Sequence, residues 1–159
     1  MAKNAVGAFH QPSAVVIDVA KVTTETSRNY RSGLAEVVKA ACIGDRTLFE
    51  LLETEADRVL ARDTALVQEL AFRAVAVKAA IVARDEHETG DRALLNFGHT
   101  LGHALEAEGG FTRLTHGEAV SLGMVAMLRV GQALGVTDGE ESARVVRLLG
   151  RLELPVDVD

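Results

Sequence analysis

From Ser32 onward, apolar residues recur at intervals of three and four with Glu, Arg and Lys between them, which is the period of amphipathic helices. The pattern predicts helices over 32–43, 46–60, 64–85, 94–108, 116–135 and 139–150. Turn-forming residues punctuate them: Gly44-Asp45, Thr89-Gly90-Asp91, Glu108-Gly109-Gly110 and the run from Gly135 to Glu140. Before Ser32 the pattern changes. "AVVIDV" at 14–19 reads as a strand behind a Gln11-Pro12 turn. One strand cannot make a sheet, so residues 1–28 read as the end of a preceding domain and its linker, and residues 29–159 as a helical domain. The closing "LELPVDVD", in which Pro155 stops a helix, reads as a domain cut short. The predicted fold class is mainly α, a multi-helix bundle with a short N-terminal extended segment.

Composition narrows the function classes. The 159 residues suit one domain, and with 48% hydrophobic residues, 4% aromatics and no Trp, the core must be built from Ala, Val and Leu. A net charge of −6 offers no basic footprint to nucleic acid or to an anionic membrane surface, so neither partner is expected. Cys42 is the single cysteine and no charged, then apolar, leader opens the chain, which points to a reducing cytoplasm. The longest apolar stretch, "AVAVKAAIVA" at 74–83, contains Lys78 and is too short to span a bilayer.

Candidate chemistry concentrates in "LLNFGHTLGHALEAEGGFTRLTHGEA" at 94–119, which holds three of the five histidines. On one helix His99 and His103 share a face, with Asn96 one turn earlier. Gly98 and Gly102 each lower helix propensity by about 1 kcal/mol relative to Ala and invite close approach of another backbone or a ligand. His116 follows a turn, with Thr115 as a prospective N-cap, and a helical hairpin can return it to His99. A zinc site with three protein ligands needs one more group, for which a carboxylate is the natural candidate. Glu36 and Lys39, at i, i+3 among Leu34, Ala35, Val37 and Val38, are either a surface ion pair or part of a site. Lys78 reads equally as a snorkelling lysine, and Arg92 as a partner for Asp91 or Glu88. The residues alone leave packing and metal binding both open.

The strings "KNAVGAFHQPSAVVID", "SGLAEVVK", "DEHETGDRALLNFGHTLGHALE" and "HGEAVSLGM" together resemble the 3-dehydroquinate synthase family over nearly the whole chain. The resemblance implies that Glu36, His99 and His116 bind zinc, with cobalt as an alternative ion, and that His103 is not a ligand. It implies that Lys39, Lys78, Arg92, Asn96 and His103 surround a small phosphorylated sugar acid, and that Lys3 and Asn4 belong to the cofactor-binding junction between domains. Family enzymes convert 3-deoxy-D-arabino-heptulosonate 7-phosphate to 3-dehydroquinate and phosphate, with NAD used and regenerated in each turnover.

Such enzymes pair a nucleotide-binding α/β domain with a helical metal domain, and no Gly-rich dinucleotide turn follows a strand here. The isolated chain is therefore expected to be inactive or nearly so, with NAD held through the domain it lacks. Its interdomain face is expected to drive self-association or a homodimer. Rival readings are another sugar phosphate cyclase, such as 2-deoxy-scyllo-inosose synthase, an iron-dependent alcohol dehydrogenase, whose first metal ligand is generally an aspartate, and a metal-binding helical module without catalysis. Asn96 and His103 together favour the dehydroquinate type over valiolone-type cyclases.

Overall fold

The computed structural model describes residues 10, 12–87 and 89–157. Six α-helices dominate: α1 (Ser27–Gly44), α2 (Arg46–Leu60), α3 (Thr64–Arg84), α4 (His99–Glu108), α5 (His116–Ala133) and α6 (Gly139–Arg151). Short 3-10 helices cover Val19–Thr24 and Asp91–Asn96. Lys3, Asn4, Gln11 and Glu88 lie outside the described residues.

Local chemistry sets most boundaries. Asp45 ends α1 and starts α2, its carboxylate accepting from the Leu48 amide at 2.9 Å. Asp63 caps α3 through the Leu66 amide at 3.0 Å, and Asp138 caps α6 through the amides of Glu140 and Glu141. Thr115 and Glu118 form a reciprocal capping box on α5. With Thr26 accepting from the Asn29 amide at the start of α1, five of the six helices begin where a short polar side chain can answer a free amide.

The core is aliphatic, as the composition requires. Leu34, Ala35 and Val38 of α1 meet Leu48 and Leu52 of α2, Leu70 of α3, Val120 and Met124 of α5, and Leu148 and Leu149 of α6. Helix α5 lies against α1, α4 and α6, and its first two turns are almost wholly buried. A smaller cluster of Ala40, Val77 and Ile81 joins α1 to α3 beside the candidate site.

Three sequence expectations are corrected. No strand occurs among the described residues: 14–18 are neither helix nor strand, and the 3-10 helix at Val19–Thr24 follows, capped by Asp18. An extended run needs an edge to pair with, none lies beside it, and Val16 is 92% exposed. Second, α1 starts at Ser27 rather than Ser32, because Thr26 caps it and Tyr30 is buried with its hydroxyl donating to the Val59 carbonyl at 2.6 Å. Third, the helix expected over 94–108 is two elements. The 3-10 helix ends at Asn96, Gly98 turns the chain at φ 80°, and α4 begins at His99. A β-carbon at Gly98 would stand 2.7 Å from the Val120 carbonyl oxygen, so sterics as well as the left-handed φ exclude other residues. Asn96 is consequently not one turn before His99 on a common helix.

Candidate metal centre

Helix α1 brings Glu36 to the point where α4 and α5 both begin. Glu36 Oε1 lies 3.3 Å from Nε2 of His99 and 3.3 Å from Nε2 of His116. The other oxygen, Oε2, pairs with Lys39 Nζ at 2.7 Å. The Glu36 side chain is 40% exposed overall, yet Oε1 itself is sealed from solvent and has no hydrogen-bond partner. Burial pushes the Glu36 carboxyl up, but the His99 ring and the Lys39 ammonium outweigh that and hold it at about 2. The group is an anion at any physiological pH.

A charged, solvent-free oxygen facing two ring nitrogens is poor packing and good coordination chemistry. Two ligands about 2.1 Å from a tetrahedral zinc stand about 3.4 Å apart, close to the 3.3 Å separations found here. The three ligand atoms lie within 4.8 Å of one another. Two imidazoles and a carboxylate make a donor set suited to zinc with a coordination position left open. Each ring also has a partner behind it. His99 Nδ1 lies 3.3 Å from the Phe97 carbonyl, and His116 Nδ1 lies 3.2 Å from Glu106 Oε2.

The cleft beside this triangle has a volume of about 540 Å³. Lys39, Lys78, Arg92 and Asn96 line it together with the three prospective ligands. Lys78 comes from α3 and Arg92 from the 3-10 helix; Lys78 is exposed, as a snorkelling lysine would be, and also borders the cleft. Three cations against one carboxylate make this cleft positive on a chain whose total charge is −6, an arrangement that focuses anions. His103 stands apart from the cleft lining. It is exposed, with its ring centroid 5.4 Å from that of His99 and 6.0 Å from that of His116.

Residues 33–159 match the 3-dehydroquinate synthase C-terminal family. The chain belongs to that family. Among curated relatives, the 3-dehydroquinate synthase of Pelobacter propionicus is 46% identical over 153 residues, covering 96% of this chain and 43% of the relative. Those of Geobacter sp. strain M21 and Acinetobacter baumannii strain AYE are 46% and 45% identical, each covering 98% of this chain and 43% of the relative. The chain thus spans less than half the length of the synthases it matches. Among solved structures, the 2-epi-5-epi-valiolone synthase ValA of Streptomyces hygroscopicus, with NAD+ and Zn2+ bound, is 30% identical with a TM-score of 0.87. That likeness covers 98% of this chain and 44% of ValA.

Against this synthase frame, three supporting residues went unread in the sequence. Glu106 is buried behind His116 and was available to inspection, since it lies on the same face of α4 as His99 and His103. Ser32 holds the start of α5 by accepting from the Gly117 amide at 2.9 Å, a contact between distant segments that no local pattern signals. Asp85 gathers the turn before Arg92, accepting from the amides of Thr89, Gly90 and Arg92 at 2.8–2.9 Å.

Proposed function

We propose that this chain forms the metal- and substrate-binding part of a 3-dehydroquinate synthase, acting with zinc and NAD on 3-deoxy-D-arabino-heptulosonate 7-phosphate to give 3-dehydroquinate and phosphate. The observation that carries this reading is the meeting of Glu36 Oε1 with His99 and His116 at the wall of a cation-lined cleft. Glu36, His99 and His116 would hold the metal. Zinc bound there would polarise a substrate hydroxyl, and NAD, held by the family's nucleotide-binding domain, would supply the hydride chemistry.

The chain's own residues supply positioning and electrostatics. Lys78 and Arg92 face the anionic groups of the substrate from two different elements, so carboxylate and phosphate are fixed at separate points. Lys39 is 8% exposed at the side chain and is held by Glu36, which keeps its ammonium oriented without neutralising the cleft. Asn96 hydrogen-bonds ring hydroxyls, and His103, exposed beyond the cleft lining with its ring 5.4 Å from that of His99, passes protons to solvent. With zinc held by an all-protein set of two imidazoles and one carboxylate, cobalt is a chemically acceptable replacement. Turnover depends on the nucleotide-binding domain, and the chain alone is expected to show little or none.

A second reading has one observation behind it, the strong structural likeness to ValA. A cyclase acting on a related sugar phosphate would share the metal triangle and differ in its contacts to hydroxyls. Product analysis on the two classes of phosphorylated sugar separates the readings.

The direct test is elemental analysis of the purified chain beside Glu36→Ala and His99→Ala. About one zinc per chain in the parent, lost in both variants, is the expected result. A folded parent with no metal affinity would overturn the metal reading.

A further inference from the structure

Helix α4 carries three chemically capable residues on one face, since His99, His103 and Glu106 follow at i, i+4 and i+7. Glu106 is the odd one among them. It is 5% exposed, at a depth where a carboxylate is costly unless it is paired. Its Oε2 lies 3.2 Å from Nδ1 of His116, and the opposite nitrogen of that ring, Nε2, lies 3.3 Å from Glu36 Oε1. One imidazole therefore stands between two carboxylates, addressing each through a different nitrogen.

A neutral imidazole has one N–H and one lone pair, and an ionised carboxylate can only accept. Both carboxylates cannot receive a proton from the same neutral ring. If Glu106 takes the N–H at Nδ1, the Nε2 lone pair is left directed at Glu36 and His99. We propose that Glu106 is a positioning residue that fixes His116 in the Nδ1–H tautomer and holds the ring so that Nε2 is presented to a divalent cation shared with Glu36 and His99. The distances, 3.2 Å to Glu106 and 3.3 Å to Glu36, do not choose between the carboxylates; the choice of Glu106 rests on Glu36 being already paired with Lys39, and the cation half rests on the metal reading above. His99 is supported differently, since its Nδ1 faces the main-chain carbonyl of Phe97 at 3.3 Å. Only His116 of the two depends on a charged side chain, so α4 both begins with one prospective ligand and, two turns later, steers the other.

The test uses the full chain labelled with nitrogen-15, with and without zinc, as parent, Glu106→Gln and Glu106→Ala. Long-range proton–nitrogen spectra of the metal-free parent, taken at a pH where imidazoles are neutral, should show His116 protonated at Nδ1. In Glu106→Ala the ring should shift toward the Nε2–H form, because Glu36 then remains as the carboxylate able to accept its proton. Glu106→Gln keeps an acceptor without the charge and similar volume, so it should keep the fold and lie between the two. Zinc affinity, read by competition with a chelator, should fall about 10- to 100-fold in Glu106→Ala and less in Glu106→Gln. A buried group with a merely structural role would lower the unfolding midpoint of the metal-free chain and leave the tautomer and the relative zinc affinity untouched; that pattern overturns the proposal. So does an Nε2–H tautomer in the parent. A parent with the expected tautomer and no zinc affinity overturns the cation half together with the metal reading, whereas zinc binding unaltered in both variants overturns the role of Glu106 alone.

Discussion

Gly117 shows how tightly the centre is specified by a single hydrogen atom. A β-carbon there would lie 1.8 Å from the Ser32 carbonyl oxygen, so no other residue fits without moving α5 away from α1. Ser32 is one turn before Glu36 and Gly117 adjoins His116, so the contact sets the separation of two prospective ligands. Gly117→Ala is expected to destabilise the chain by about 1–3 kcal/mol, as overpacking generally does, and to weaken zinc retention. Chemical denaturation beside metal analysis checks both, and a variant with parental zinc affinity contradicts the role of this contact. At this scale the sequence was only partly readable. His99, His116 and Glu36 stood out because they are polar in apolar company. Ser32 and Gly117 carry no such mark, since their importance comes from a contact between segments that only the folded chain brings together. Lys39, Lys78, Arg92 and Asn96 drew attention by their settings, but each also had an ordinary surface reading, and their convergence in one cleft could not be read from spacing.

Between α3 and the 3-10 helix, one carboxylate organises a whole turn. Asp85 accepts from the amides of Thr89, Gly90 and Arg92 and from the Thr89 hydroxyl at 3.2 Å. The Thr89 and Arg92 amides lead in holding its carboxyl at about 2, against an ordinary value of 3.8. A carboxyl depressed on folding contributes stability above its ordinary value and loses that contribution as pH falls toward the folded one. Asp85→Asn should therefore be less stable than the parent at neutral pH, with the gap closing between about pH 4 and pH 2. Denaturant midpoints across that range check it, and a gap independent of pH contradicts it. The variant should also loosen the approach to Arg92, whose own amide is one of the donors. Helix boundaries were readable where a cap announced them, as at Asp45, Asp63, Thr115 and Asp138. They were misread where three-dimensional context decided: Tyr30 lengthens α1 by burying its ring, and the break at Gly98 follows from α5 crossing against it.

Across the molecule, the positive cleft opens beside an apolar surface. Phe72 of α3 is 71% exposed, and Val75, one turn along, borders both the metal cleft and a second hollow formed with Val15 and Ile17. A surface of this kind favours association. Sedimentation of the chain is expected to show self-association that rises with concentration and weakens in Phe72→Asp; a parent that stays monomeric throughout contradicts the expectation. No helix among the described residues is long and apolar enough to cross a membrane.

The three atoms of the candidate centre come from α1, α4 and α5, and this separation orders events in time. A ribosome releases Glu36 well before His116, so during synthesis no chain shorter than 116 residues offers the complete set. Drawing the ends of so long a loop together costs entropy, but that cost grows only slowly with length, and an ion held by three protein groups can repay it. An ion that bound the folded chain and not the unfolded one would favour the docking of α5 on α1 and slow the reverse journey. Acquiring such an ion and completing the fold would then be linked moments of one process, and a chain that carried it would be one whose helices had already met.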